Sequence, residues 1–149
     1  MKTLTVIAPA YNEAEGIADF YHAVQTAVSG LSDYKASILL VVDGGTDATF
    51  AILKEIAEKD SALRVLKLSR NFGPQMALLA GIDYADSDVI IMMDSDMQHP
   101  PELIPQLIKG YEEGNDVVNT LRERTAGIGF FRRLQSVLFY RAVNFISDV

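Results

Sequence analysis

The sequence contains no cysteine. A disulfide framework and a thiolate metal site are therefore excluded, which is compatible with a cytosolic protein. Long apolar segments are missing as well, because no uninterrupted apolar run approaches the roughly 20 residues that span a bilayer. The first residues, MKTLTVIAPAYNE, reach polar positions too early for the apolar region of a signal peptide. We therefore expect neither a membrane-spanning helix nor a signal peptide in this sequence.

Several well-known catalytic and nucleotide-binding motifs are absent too. The sequence lacks the G-x-x-x-x-G-K-[ST] motif of P-loop NTPases and the G-x-G-x-x-G motif of dinucleotide-dependent dehydrogenases. No serine stands in the G-x-S-x-G motif of α/β-hydrolases. The aspartyl-phosphate phosphatases need D-x-D-x-T near their first strand, whereas the pair Asp94 and Asp96 lies far along the chain and is followed by Gln98. These four enzyme classes are therefore disfavoured.

The charge of the protein is negative but unevenly distributed. Its net charge is −7, which argues against a general nucleic-acid binder. Residues 122–149 nevertheless carry five arginines against Glu123 and Asp148, a net charge of +3. A basic end on an acidic protein indicates a local anionic partner, such as a phosphate group or a membrane surface.

The apolar residues alternate between two kinds of spacing. Of the 149 residues, 49% are hydrophobic, which suits one compact domain. Five apolar runs are typical of strands: LTVIAPAY, SILLVVD, LRVLKLS, DVIIMMD and DVVNTL. Between and after them, helical spacing predicts helices over residues 14–29, around Leu53, around Leu79, over 103–111 and over about 128–147. The sequence therefore predicts an α/β domain with a mostly parallel central sheet and helices on both faces.

Polar residues follow each of the first four predicted strands. They form the segments 9–13, 43–47, 69–73 and 94–98. Taken alone, the segment after the second strand could be a plain turn, with Asp47 capping a helix. The carboxyl ends of parallel strands meet at one edge, however, where ligands bind in such sheets. The coincidence of four polar segments there favours a binding site.

Asp94 and Asp96 end a buried strand within the stretch IIMMDSDMQHPPE. Two carboxylates held close together repel each other, and a divalent cation between them removes that repulsion. Carboxylate and amide oxygens suit Mg²⁺ or Mn²⁺, and Gln98 can add an amide oxygen. Alternatively, one aspartate caps the helix that Pro100 and Pro101 begin, and the other is solvated. The first interpretation predicts a metal that bridges the diphosphate of a nucleotide-sugar.

Four stretches, spread over essentially the whole chain, follow the order of one family: VIAPAYNEAEGI, VVDGGTDAT, LSRNFGPQMALLAGIDYADSDVIIMMDSDMQHPPELIPQLI and RRLQSVLFYRAVNFISDV. They resemble the inverting family 2 glycosyltransferases, and more narrowly the polyprenyl-phosphate group, which includes dolichol-phosphate mannose synthases and bactoprenol glucosyltransferases. This resemblance implies a GT-A fold, with residues 1–149 as a single catalytic domain that is truncated at its C-terminus relative to the family. It also implies transfer of a sugar from a UDP- or GDP-sugar to a polyprenyl phosphate.

The resemblance implies roles for individual residues. Those of the first nucleotide-contacting loop are Pro9, Tyr11, Asn12 and Glu13. Asp43 matches the aspartate that contacts the base or ribose. Asp94, Asp96 and Gln98 match the motif that binds the metal and the diphosphate. Those near the diphosphate and the acceptor phosphate are Arg122, Arg132 and Ser136. The sequence departs from the family's D-D-G-S pattern at Val42 and Gly45, where an acidic residue and a hydroxyl are missing.

The implied reaction is attack by a phosphate oxygen on the anomeric carbon, with inversion. An ionised phosphate needs no strong general base, unlike a sugar hydroxyl. Peripheral contact with the cytoplasmic face of the membrane is expected, and an oligomer is compatible with the sequence. Two alternatives stay open: a family 2 transferase with a soluble saccharide acceptor, and a non-catalytic nucleotide-binding module.

Overall fold

The computed structural model describes residues 1–121. Residues 1–118 form one compact unit, which contains all the helices and strands given below. The strands are β1 (Lys2–Ala10), β2 (Tyr34–Val42), β3 (Leu63–Lys67) and β4 (Val89–Met92). The helices are α1 (Ile17–Ser29), α2 (Thr49–Lys59), α3 (Pro74–Tyr84) and α4 (Ile104–Glu112), with a short 3-10 helix at Pro101–Leu103 before α4. Within these residues no helix is both long and apolar enough to cross a membrane.

The four strands form one parallel sheet in the order β3-β2-β1-β4. β1 pairs with β2 from Lys2↔Tyr34 to Ala10↔Val42, and with β4 from Leu4↔Val89 to Ile7↔Met92. The chain runs outward from β1 through β2 to β3 and then crosses back to β4 on the other side. Such a reversal of strand order opens a crevice at the carboxyl ends of the two strands on either side of it, β1 and β4.

Helices cover both faces of the sheet, as the sequence predicts. On one face, Phe20 and Val24 of α1, Leu53 of α2 and Ile104 of α4 belong to one buried cluster. On the other face, α3 packs against Ile7, Leu39 and Val41. The approach of α3 is close at Gly81, where a Cβ atom would lie 2.5 Å from the Ile7 Cγ2. Because both faces are buried, the strands read as continuous apolar runs.

One predicted strand is wrong. The sequence DVVNTL, residues 116–121, forms no strand, and Val117 and Leu121 are 75% and 89% exposed. The chain turns sharply after α4 at Gly114, which has a φ of +96°. The Val118 side chain lies against α4, because its Cγ1 is 2.9 Å from where a Cβ of Gly110 would be. Val118 is therefore in contact with a helix instead of pairing in a strand, and the other residues of the segment are exposed.

Two other expectations concern helices. The first helix begins at Ile17 instead of residue 14, because the preceding residues form a turn in which the amides of Gly16 and Ile17 donate to the Glu13 carbonyl. The predicted helix over about 128–147 lies outside the described residues.

Candidate functional site

A cleft of about 320 Å³ lies at the carboxyl ends of the strands, where the strand order reverses. The residues that line it are Pro9, Ala10, Tyr11, Glu13, Asp43, Asn71, Pro74, Asp94, Ser95 and Asp96. They come from the ends of all four strands, which is where the sequence predicts a ligand site. Six of the residues predicted for the site therefore meet in one place: Pro9, Tyr11, Glu13, Asp43, Asp94 and Asp96.

Asn12 supports this cleft from outside its lining. It adopts a φ of +55°, and its side-chain Oδ1 accepts a hydrogen bond from the backbone nitrogen of Thr46 at 2.9 Å. Gly45 lies directly beneath, with a φ of +94°, and a Cβ there would be 2.7 Å from that Oδ1. A side chain at this position, which departs from the family pattern, would therefore be strained by the positive φ and would displace the Asn12 side chain.

Asp47 joins the β1–α1 loop to the start of α2. Its Oδ1 accepts hydrogen bonds from the backbone nitrogen and the hydroxyl of Thr49, at 3.0 and 2.7 Å. Its Oδ2 accepts one from the backbone nitrogen of Ala14 at 2.9 Å. The hydrogen bond from the Thr49 hydroxyl contributes most to holding the pKa of Asp47 below its usual value, and it outweighs the opposing effect of desolvation. Asp47 therefore has a structural role at the start of α2, although the N-cap position itself is occupied by Ala48 and not by Asp47.

Asp43 is only 2% exposed although it lines the cleft. Its two carboxylate oxygens accept hydrogen bonds from the backbone nitrogens of Phe72 and Gly73, both at 2.8 Å. These residues belong to the loop between β3 and α3. The neighbouring Val42 is also buried, in the apolar cluster on the α1 face. An acidic side chain at position 42 would thus be placed in a hydrophobic core.

The loop after β4 is fastened to β1 by its serine. Ser95 is buried and its hydroxyl donates to the Pro9 carbonyl at 2.8 Å. Asp94 and Asp96, on either side, remain exposed and line the cleft. Asp96 Oδ1 accepts a hydrogen bond from the backbone nitrogen of Gln98 at 3.0 Å, whereas the exposed Gln98 is not among the lining residues. The His99 Nδ1 lies 3.4 Å from Asp94 Oδ2.

The cleft is strongly acidic. Four carboxylates line it, from Glu13, Asp43, Asp94 and Asp96, and within residues 1–121 no lysine or arginine does. Burial raises the pKa of Glu13, and the negative charges of Asp96 and Asp47 raise it further. An anionic ligand would be repelled by such a surface unless a cation entered with it.

The donor set fits a hard divalent cation that is shared with a ligand. Within the described residues no group of three or more His, Cys, Asp or Glu side chains is arranged around a common metal position. The exposed carboxylates of Asp94 and Asp96 can supply two oxygen ligands. Mg²⁺ typically takes one or two carboxylates and completes its shell with phosphate oxygens and water. The residues present therefore fit a metal that binds together with a diphosphate, not a metal enclosed by protein.

The residues that line the cleft differ in part from those predicted from the sequence. Ala10, Pro74 and Ser95 were not predicted as individual site residues, and Asn71 was predicted only as part of the polar segment 69–73. Its position directly after the third strand was the signal for Asn71. Three predicted residues lie outside the described part of the chain: Arg122, Arg132 and Ser136.

The chain is similar to known glycosyltransferases over nearly its full length. The profile of the family described as "Glycosyl transferase family 2" matches residues 5–147. A protein of Escherichia coli (strain K12), named a prophage bactoprenol glucosyl transferase homolog, is 37% identical over 145 residues, which are 97% of this chain and 47% of that protein. The uncharacterized glycosyltransferase YkcC of Bacillus subtilis is 34% identical over 97% of this chain and 45% of its own. The chain thus spans just under half the length of these curated relatives.

Solved structures show the same fold. The mannosyltransferase PcManGT from Pyrobaculum calidifontis, in complex with GDP-Man and Mn²⁺, superposes with a TM-score of 0.55 at 23% identity. The match covers 62% of this chain and 27% of that one. Together with other glycosyltransferase structures that match, this confirms the predicted GT-A fold.

Proposed function

The chain belongs to glycosyl transferase family 2, and on that premise we propose that it transfers a sugar from a nucleotide-diphosphate sugar to a polyprenyl phosphate, with inversion at the anomeric carbon. The observation that carries this proposal is the meeting of Asp94 and Asp96 with the β1 loop in one cleft at the strand-order reversal. That crevice is where open α/β sheets bind nucleotides.

The donor would lie along the cleft with its diphosphate at the β4 end. Asp94 and Asp96 would hold Mg²⁺ or Mn²⁺, and Gln98 remains a proposed third ligand. When bound, the metal supplies positive charge that stabilises the departing nucleoside diphosphate. The complex of the similar mannosyltransferase with GDP-Man and Mn²⁺ supports this choice of partners. Tyr11 and Glu13 at the end of β1 would contact the nucleotide beside it.

The acceptor would be a phosphate, whose oxygen attacks the anomeric carbon from the face opposite the diphosphate. A phosphate monoester is largely ionised near neutral pH, so the protein need not remove a proton from it. The cleft offers no cation of its own within residues 1–121. We therefore propose that Arg122, Arg132 and Ser136 position the two anionic groups, because arginine holds phosphate oxygens in a bidentate manner.

The polyprenyl chain on the acceptor would place the reaction at the cytoplasmic face of a membrane. Support comes from the relatives named bactoprenol glucosyl transferases and from the basic segment 122–149. A cluster of arginines is attracted to the anionic lipids of a membrane surface.

The test is a transfer assay with labelled UDP- and GDP-sugars, Mn²⁺ and undecaprenyl phosphate in detergent. We expect the label to move into the organic phase on extraction, only when the acceptor is present, and not after chelation with EDTA. Asp96→Asn should abolish this transfer, and the exposed Asp83→Asn should leave it unchanged. Label that moves instead to an added saccharide and stays in water would indicate the soluble-acceptor alternative. Nucleotide binding without any transfer would indicate a binding module.

A further inference from the structure

Asp43 is the most deeply buried ionisable group of the cleft. It is 2% exposed, and its charge is met by two backbone amides, those of Phe72 and Gly73, instead of a cation. Each carboxylate oxygen thus already accepts one hydrogen bond from the protein, and very little of the side chain is accessible to a ligand. A group in this position is poorly placed to be the direct contact to a base or ribose that the family resemblance implies.

The loop that Asp43 holds, residues 70–73, is also in close backbone contact with Gly44, the residue that follows Asp43. A Cβ at Gly44 would lie 2.6 Å from the Asn71 nitrogen and 2.7 Å from the Arg70 carbonyl carbon. Gly44 has a φ of +70°, so glycine is suited to this position for its conformation as well as for its size. The β2–α2 turn therefore fixes the path of residues 70–73 at two adjacent points.

Asn71 is the residue of this loop that lines the cleft. Its Oδ1 accepts a hydrogen bond from the backbone nitrogen of Gly73 at 2.9 Å. Because that nitrogen can only donate, the facing side-chain atom must be the oxygen, and the amide nitrogen is the other end. Within residues 1–121 this amide nitrogen makes no hydrogen bond. In a cleft lined by carboxylates it is a side-chain donor that remains available.

We propose that Asn71 donates a hydrogen bond from its amide nitrogen to an oxygen of the nucleotide, and that Asp43 is a positioning residue that acts through it. Asp43 holds the loop so that the Asn71 amide faces the cleft, and does not touch the donor itself. This inference rests on the proposed function, since it assumes that the cleft binds a nucleoside diphosphate.

The test is a double-mutant cycle on the binding of UDP and GDP, measured by calorimetry in Mn²⁺ with the full chain. Asn71→Ala leaves the Gly73 amide bonded to Asp43, so the fold should persist while the dissociation constant rises roughly 10-fold. Asp43→Asn replaces one acceptor oxygen by a donor that faces a backbone amide, and should raise the constant several-fold. In the double variant the constant should match that of Asn71→Ala alone, because a displaced loop no longer matters once the amide is gone.

The outcomes are distinct. Wild-type affinity of Asn71→Ala would overturn the proposal whatever Asp43→Asn does. A different result would be that the increases in dissociation constant of the two single variants multiply in the double variant, with full binding stoichiometry and an unchanged melting temperature. That result would show that Asp43 contacts the nucleotide directly and would overturn its role as a positioning residue. If the wild-type chain binds neither UDP nor GDP, the proposed function fails first. Pyrophosphate, as a second probe, locates the oxygen that accepts the hydrogen bond from Asn71. If Asn71→Ala weakens the binding of UDP or GDP but not of pyrophosphate, that oxygen belongs to the nucleoside. If the variant weakens the binding of pyrophosphate as well, the oxygen belongs to the diphosphate.

Discussion

At the scale of single residues, the structure separates aspartates that look alike in the sequence. Asp43, Asp94 and Asp96 all follow strands and all line the cleft. The two oxygens of Asp43 are engaged by backbone amides, whereas Asp94 and Asp96 remain exposed. A buried carboxylate whose two oxygens each accept a backbone hydrogen bond holds a loop, whereas an exposed one is accessible to a metal. The environment of each carboxylate therefore decides its chemistry.

Asp96→Asn tests whether the exposed carboxylate of Asp96 binds the metal. The amide keeps an oxygen that can accept from the Gln98 backbone nitrogen, so stability should change little. The lost negative charge should weaken Mn²⁺-dependent binding of the nucleoside diphosphate at least about 10-fold. Calorimetric titration of UDP or GDP at several Mn²⁺ concentrations measures this, with Asp83→Asn as the matched control. Unchanged Mn²⁺ dependence in Asp96→Asn would remove Asp96 from the metal site.

Gly45→Ser restores the hydroxyl that the family usually carries, and we expect it to be harmful here. The residue has a φ of +94°, and its Cβ would lie 2.7 Å from the Asn12 Oδ1. Strained backbone and the displaced hydrogen bond from Thr46 should together reduce the free energy of unfolding by about 1 to 3 kcal/mol.

Gly30→Ala is the control for this substitution. Gly30 has a φ of −79°, and no atom lies within 4 Å of the place that a Cβ would take, so alanine should leave stability unchanged or raise it slightly. Urea denaturation compares the two variants. Equal midpoints for Gly45→Ser and the wild type would show that the β2–α2 turn relaxes without cost.

At the scale of elements, α1 and α2 are tied by one carboxylate. Asp60, at the end of α2, accepts hydrogen bonds from the Tyr21 hydroxyl, from Gln25 Nε2 at 2.6 Å and from the Ala62 backbone nitrogen at 2.8 Å. The hydrogen bond from Tyr21 is the largest cause that lowers the pKa of Asp60 below its usual value. The tie therefore depends on the ionised form of this aspartate.

This dependence predicts how stability responds to acid. Because the pKa of Asp60 is lower in the folded than in the unfolded protein, its contribution is complete above the unfolded value of about 3.9. It is lost as the pH falls from there through the folded value. Asp60→Asn should cost about 1 to 3 kcal/mol at pH 7, and much less near pH 3. Urea denaturation at both pH values measures the difference, and a cost that is equal at the two would contradict the assignment.

How much could be predicted from the sequence also differs between elements. The first four strands were found because burial on both faces leaves continuous apolar runs, and the strand ends then indicated the cleft. The run DVVNTL also contains apolar residues, but only Val118 is partly buried, against α4, and its apolar residues alone did not show that the run forms no strand. The partners of Asp43 were not predictable either, because they lie 29 and 30 residues further along the chain.

At the scale of the whole molecule, the strand order and the charge act together. The reversal between β1 and β4 creates a crevice of a size that suits a nucleotide, but four of the ten residues that line it carry carboxylates. A nucleoside diphosphate brings further negative charge to the same place. Binding by the described residues should therefore require that anion and cation enter together, which links nucleotide affinity to the divalent metal.

A thermal-shift series tests this linkage on the intact chain. UDP or GDP alone should move the melting temperature little, and Mn²⁺ alone should have only a small effect. Both together, at about 100 times the dissociation constant, should stabilise the fold by about 2.7 kcal/mol and raise the melting temperature by roughly 5 to 10 °C. Because the ligands bind cooperatively, the joint shift should exceed the sum of the separate ones. A nucleotide shift of the same size in EDTA would contradict the linkage, because it would show that the diphosphate binds without a divalent metal to offset the carboxylates.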